Sequence, residues 1–331
     1  MSNGWLYDFT DDQTIANLEN ISKRCPNIKC LHMSHSVIDV NCFQVLFRLF
    51  PGLECLHLKS NYVKEVPNQT PLEVWQSIGK VLAPAVIHLS IDPHYEYRMK
   101  ECHLKALIQP LQYLEELRVG THFDREVVGH FISFLPKRCK VFYSLGRELL
   151  LESLGHLMRN QSQSLTHLSF FTNSLRTTEA LTKIGHNFKN LVKLKINLSF
   201  NEIILTSSSP ISELKQLLEF SVDLNTFSDS HVDDGLIWCI KDGLPSVKVL
   251  EVSRACLSTR AFNAINYCLP QLNKLLLKTI EIQCVCDSIE GRDRTERYNC
   301  TACKQRCWQS VANFGQLREL HCLSYYFRSD R

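Results

Sequence analysis

No apolar run in this 331-residue chain approaches the roughly 18 residues that a helix needs to cross a bilayer. No basic stretch followed by an apolar one opens it, since "MSNGWLYDFTDD" is polar and acidic, so no secretory signal is expected. The five Asn-x-Ser/Thr sequons, at Asn20, Asn68, Asn160, Asn197 and Asn299, are accordingly read as incidental. Twelve glycines and eleven prolines are too few for a linker-rich protein. A formal charge of +3 is too small to call for a nucleic-acid partner. Nucleophile elbow, phosphate loop, His-Glu-x-x-His and paired-carboxylate motifs are all missing, and an enzyme is not expected.

What the chain does have is cysteine and rhythm. Fifteen cysteines, mostly single and in apolar settings, read as reduced thiols in a cytoplasmic or nuclear protein. The rhythm is an apolar triad at i, i+3 and i+5, as in "LECLHL" from residue 53. It recurs from residues 28, 86, 114, 165, 191, 217, 247, 272 and 317, with a weaker copy, "RCKVFY", from residue 138. Most copies lie 24 to 30 residues apart, with one interval of 33 and one of 45. Helical spacing fills the gaps, as in "TIANLENISKRC" (14–25), where Thr14 reads as the N-cap, "PLEVWQSIGKVL" (71–82) and "TTEALTKIGHNF" (177–188).

Each unit is therefore a short strand, a loop, a helix and a return. One unit cannot bury its own apolar face; a stack of them can. A doubly wound sheet or a TIM barrel also alternates strands and helices, but neither requires the same triad at every strand.

The triad, with Asn61, Asn173 and Asn225 eight residues after the start of their copies, resembles the leucine-rich repeat consensus L-x-x-L-x-L-x-x-N. The resemblance implies an α/β solenoid of horseshoe shape, with a parallel sheet on the concave face and helices on the convex face. It covers nearly the whole chain, as one domain of about eleven repeats spanning 1–331. A first helix is expected at 13–25, and strands near 28–33, 53–58, 86–91, 114–119, 138–143, 165–170, 191–196, 217–222, 247–252, 272–277 and 317–322.

Phrases such as "LENISKRCPNIKCLHMSHSVID", "LPSVKVLEVSRACLS" and "CLPQLNKLLLK" resemble the cysteine-containing repeats of F-box/LRR proteins, the substrate receptors of cullin-type ubiquitin ligases. That likeness implies protein–protein recognition with cullin-type ligase subunits as partners. The departure is that only 27 residues precede Ile28, whereas an F-box is a longer helical module; no F-box is recognisable. A fragment of such a receptor, a ligase-independent binder or inhibitor, and a secreted disulfide-capped recognition protein all stay open.

The 45-residue interval carries a Cys-rich insertion at 283–308, with Cys284, Cys286, Cys300, Cys303 and Cys307 in a polar, charged loop. Two close pairs can supply four thiolates to a structural zinc ion. A disulfide cap and a loop of free thiols are the alternatives.

Strand positions that face outward are candidates for partner binding. His32, His57, His88 and Arg118 lie in the early repeats, with His32 and His57 expected to stack. Lys140, His167, Lys193 and Lys195 beside Phe142 and Phe171 form an expected basic patch suited to an acidic or phosphorylated peptide. Neither a nucleic-acid nor a membrane partner is expected.

Overall fold

A computed structural model of the chain describes residues 7–8, 11–64, 69–93, 99–120, 131–148, 151–172, 177–198, 211–223, 234–257, 259–282 and 301–323. The chain divides into two compact units, Met1–Leu165 and Thr166–Arg331.

In the first unit, strands β1 (Tyr7–Asp8), β2 (Cys30–Ser34), β3 (Ser36–Ile38), β4 (Cys55–Lys59), β5 (Tyr62–Val63), β6 (His88–Asp92), β7 (Glu116–Val119) and β8 (Val141–Glu148) alternate with helices. The helices are α1 (Asp12–Arg24), α2 (Val40–Leu49), α3 (Pro71–Leu82), α4 (Glu101–Ile108) and α5 (Leu151–Gln161), with a 3-10 turn at Phe131–Phe134. Strands β2, β4, β6, β7 and β8 pair in parallel in that order, while β1, β3 and β5 form a separate three-stranded parallel sheet.

The second unit runs β9 (His167–Thr172), α6 (Thr177–Asn187), β10 (Lys193–Leu198), β11 (Glu219–Asp223), α7 (Asp234–Ile240), β12 (Val249–Leu257), α8 (Thr259–Cys268), β13 (Lys274–Ile282), α9 (Thr301–Ala312) and β14 (Glu319–Leu323). Its strands also pair in parallel in chain order.

Hydrogen bonding begins two residues into most triads, so the i position lies on the approach to the strand and i+3 and i+5 within it. All three are buried where a repeat has neighbours on both sides. Leu53, Leu56 and Leu58 are 1, 0 and 2% exposed, and Leu217, Phe220 and Val222 are 0, 1 and 0%. Each such side chain removed from water contributes roughly 1.5–3 kcal/mol. In β14, by contrast, Leu320 keeps 41% of its surface exposed. This strand–helix unit with its buried triad is the leucine-rich repeat fold.

The helices begin where capping chemistry places them. Thr70 and Glu73 form a reciprocal capping box ahead of α3, with Pro71 at the first helical position. Asp39 accepts from the Cys42 backbone N–H at 2.7 Å to start α2. Helix α1 differs from expectation in that its N-cap is Asp11, not Thr14. The Asp11 carboxylate accepts from both the Thr14 N–H and the Thr14 hydroxyl, and a carboxylate at the positive helix end outcompetes a hydroxyl one turn further in.

The repeat near residue 138 also departs from the expected frame. Leu117 pairs with Phe142 and Arg118 with Tyr143, so the inward set is Cys139, Phe142 and Ser144, each at most 4% exposed. The expected frame had Lys140 and Phe142 pointing outward on the strand. A one-residue shift exchanges the two faces of a strand, and here it carries the large apolar ring into the core. Phe142 is therefore a core residue and cannot contact a partner. Tyr143 takes its outward place, and Lys140 lies just before the strand. Among the described residues no helix is long and apolar enough to cross a membrane.

Candidate functional site

The parallel register of the first unit aligns outward side chains in rows. One row runs Cys30, Cys55, His88 and Glu116; the next runs His32, His57, Ser90, Arg118 and Tyr143. Because neighbouring parallel strands lie about 4.8 Å apart, side chains of one row touch.

The imidazoles of His32 and His57 stack with ring centroids 4.0 Å apart and planes 7° from parallel. Beneath them the Cys30 and Cys55 sulfurs lie 2.9 Å apart. Cys55 Sγ is 3.1 Å from His57 Nε2, and Cys30 Sγ is 3.6 Å from His32 Nε2. Burial, followed by the hydrogen bond from Cys30, pushes the Cys55 thiol up to about 12. Burial and then the neighbouring His32 and Arg118 charges lower the pKa of His57.

Further along the same face, His88 Nδ1 lies 3.2 Å from Glu116 Oε2, and Arg118 donates to the other oxygen of that carboxylate. The Arg118 guanidinium also sits 4.7 Å from the centroid of the Tyr143 ring, in cation–π range. Together Cys55, His57, His88, Ser90, Glu116 and Arg118 line a half-open hollow of about 300 Å³. Its walls offer a fixed cation, a carboxylate, two imidazoles and a hydroxyl, a set suited to hydrogen-bonding a polar segment.

The expected basic patch is divided between the units. Lys140 belongs to the first and is held 2.9 Å from Glu115, which Arg138 also contacts at 2.9 Å. These two bonds, Lys140 first, lower the Glu115 pKa. His167, Phe171, Lys193 and Lys195 belong to the second unit. There Lys193 meets Glu219 at 2.6 Å, and Glu251 receives Lys278 at 2.9 Å and Lys195 at 3.8 Å. Burial pushes the Glu251 carboxyl up, but the Lys278 hydrogen bond and the three surrounding lysine charges outweigh it and hold its pKa low. The second unit's strand face is thus a ladder of alternating charge, continued by Lys274 against Glu319 at 2.6 Å. Phe171 is half-buried beside Asn197.

Of the Cys-rich insertion, Cys284, Cys286 and Cys300 lie outside the described residues, while Cys303 and Cys307 fall in α9. Asn173 and Asn225 lie outside them too; Asn61 is buried and fully engaged. Sequence reasoning singled out the histidines of the first unit but not Cys30, Cys55, Glu116 and Tyr143 as their companions. The tripeptide Cys-Leu-His, at 30–32 and again at 55–57, was the available signal: one repeat apart, it puts two like pairs side by side.

No protein-family model matches the chain, and no curated protein is similar to it. Among solved structures, the leucine-rich repeat protein LegL7 from Legionella pneumophila aligns with a TM-score of 0.49 at 11% identity, over 94% of this chain and 97% of that one. A chain of the yeast Rad7–Elc1 complex aligns with a TM-score of 0.44 at 12% identity, over 79% of this chain and 82% of that one. A chain of the TLR13–ssRNA13 complex aligns with a TM-score of 0.45 at 14% identity, over 78% of this chain but 35% of its own length.

Proposed function

We propose that the chain is a protein–protein interaction module that binds through the outward strand face of its first unit. The observation that carries this reading is the hollow beside Arg118. It gathers a guanidinium, a carboxylate, imidazoles and a hydroxyl on a rigid sheet, a set suited to hydrogen-bonding a polar segment of a partner. The finer reading, supported by the F-box/LRR-like repeat phrases, is substrate recognition for a cullin-type ubiquitin ligase. The alternative is a binder or inhibitor that works without any ligase. The Cys-rich segment 283–308 is proposed to be stapled by zinc through its cysteine pairs.

Affinity purification of the tagged chain from its own cells, beside an Arg118→Ala/Tyr143→Ala variant, tests this. The expected result is a partner that the variant loses and that a helix-side Gln76→Ala control keeps. Cullin and adaptor subunits in the wild-type eluate support the ligase reading; a stable partner without them supports the alternative. A partner retained by the strand-face variant and lost by the control overturns the site.

A further inference from the structure

We infer that Cys30, His32, Cys55 and His57 form a Zn²⁺ site that clips the first two repeat strands of the first unit together. The argument begins with donor chemistry. Two thiols and two imidazoles are the Cys₂His₂ set that structural zinc prefers, and few other divalent ions favour that mixture in a tetrahedral arrangement. The donors come as two identical Cys-x-His pairs on adjacent strands, in register, so that Cys faces Cys and His faces His.

Geometry then makes the set convergent. The ligand atoms of Cys30, Cys55 and His57 all lie within 4.8 Å of one another. His32, stacked on His57 and 3.6 Å from the Cys30 sulfur, lies outside that group of three and would join it as the fourth ligand by rotation of its ring. With Zn–S near 2.3 Å and Zn–N near 2.0–2.1 Å, tetrahedral coordination asks for ligand–ligand separations of roughly 3.3–3.8 Å. The two sulfur–nitrogen distances, 3.1 and 3.6 Å, already lie at or close to that range. The sulfurs, at 2.9 Å, would part by less than about 1 Å, and the stacked rings would swing open by rotation about their side-chain bonds.

Binding displaces one proton from each thiol. A dication then meets two thiolates and two neutral imidazoles, and the occupied centre carries no net charge. The position in the fold gives the clip a task. β2 is the end strand of its ladder, and Leu31 at its centre is less buried than Leu56 in β4. A terminal repeat packed on one side only is the weakest member of a stack, and a metal bridge to its neighbour offsets that loss. Cys55 and His57 also line the hollow proposed for partner binding, so the test below reads metal binding and not a partner.

Zinc at the Cys-rich segment would confound a simple metal count. The test therefore uses the full chain with Cys284, Cys286, Cys300, Cys303 and Cys307 changed to Ser, titrated with Co²⁺ as the optical stand-in for Zn²⁺. One equivalent should develop the intense red-region bands of tetrahedral cobalt and a thiolate charge-transfer band, and Zn²⁺ should bleach both. Adding Cys30→Ser and Cys55→Ser should abolish the spectrum, and His57→Gln should weaken binding by more than the roughly 10–100-fold that loss of an outer partner costs.

The wild-type chain supplies a second measurement should the serine background fail to fold. Alkylation mapped by mass spectrometry should find Cys30 and Cys55 shielded with Zn²⁺ present and reactive after chelation. A spectrum without thiolate charge transfer, equal labelling with and without metal, or a Cys30–Cys55 disulfide in protein prepared under reducing conditions would each overturn the assignment.

Discussion

The side chain of Asn61 is a bridge between two turns: its Oδ1 accepts from the Ser36 backbone N–H at 3.0 Å, and its Nδ2 donates to the Met33 carbonyl at 3.1 Å. Both partners belong to the preceding repeat, and Asn61 is only 5% exposed. The consensus asparagine thus ties β2 to β3 across the bend at His35, holding the Met33 carbonyl and the Ser36 N–H from the next repeat. Asn61→Ala leaves a buried N–H and a carbonyl without that partner, and should cost about 1–3 kcal/mol. Urea denaturation followed by circular dichroism measures it; an unchanged midpoint would mean that water replaces the amide without loss.

The frame of β8 can be read from two neighbouring truncations. Phe142 is fully buried, whereas Tyr143 lies half-buried under Arg118. Phe142→Ala should therefore destabilise the protein by about 3–5 kcal/mol. Tyr143→Ala should cost markedly less and act on partner binding instead. The reverse order of the two losses in thermal melts would place the strand one residue away.

Among the described residues, four other than glycine, His35, Ser60, Arg254 and Thr279, have positive φ values of 49 to 54°. Each stands five residues after the first residue of its strand, at the same bend of the repeat. The bend demands a left-handed residue, and a β-branched side chain is the least suited to it. Thr279→Gly should raise stability by about 0.5–1 kcal/mol, the relief of strain exceeding the entropy that glycine adds to the unfolded chain. A lower melting temperature for this variant would show that the Thr279 side chain contributes more than its backbone strain costs.

Glu251 links stability to acidity. Its folded pKa lies below the ordinary value of 4.5, so the unfolded chain takes up protons first as the pH falls. The stabilisation is fully present above about 4.5 and disappears as the pH drops through the folded value. Glu251→Gln should consequently melt lower than wild type at neutral pH, and the gap should close in acid. A gap that stays constant with pH would mean that Lys195 and Lys278 do not respond to the carboxylate charge.

The sequence by itself determined the repeat and where it recurs. The i, i+3, i+5 spacing reflects local backbone geometry, and Leu53, Leu56 and Leu58 bury in any chain that stacks such units. The His32–His57 stack was legible for the same reason, since both residues hold one place in successive repeats. Tertiary structure decided what local spacing leaves degenerate. Around residue 138 two frames compete, one starting at Arg138 and one at Cys139; pairing with β7 selects the one that buries Phe142. It likewise decided that Lys140, Lys193 and Lys195 each meet a carboxylate from another repeat. Only in-register pairing of β2 with β4 brings Cys30 and Cys55 to 2.9 Å, because a strand by itself holds its own cysteine and histidine but has no second pair to converge on.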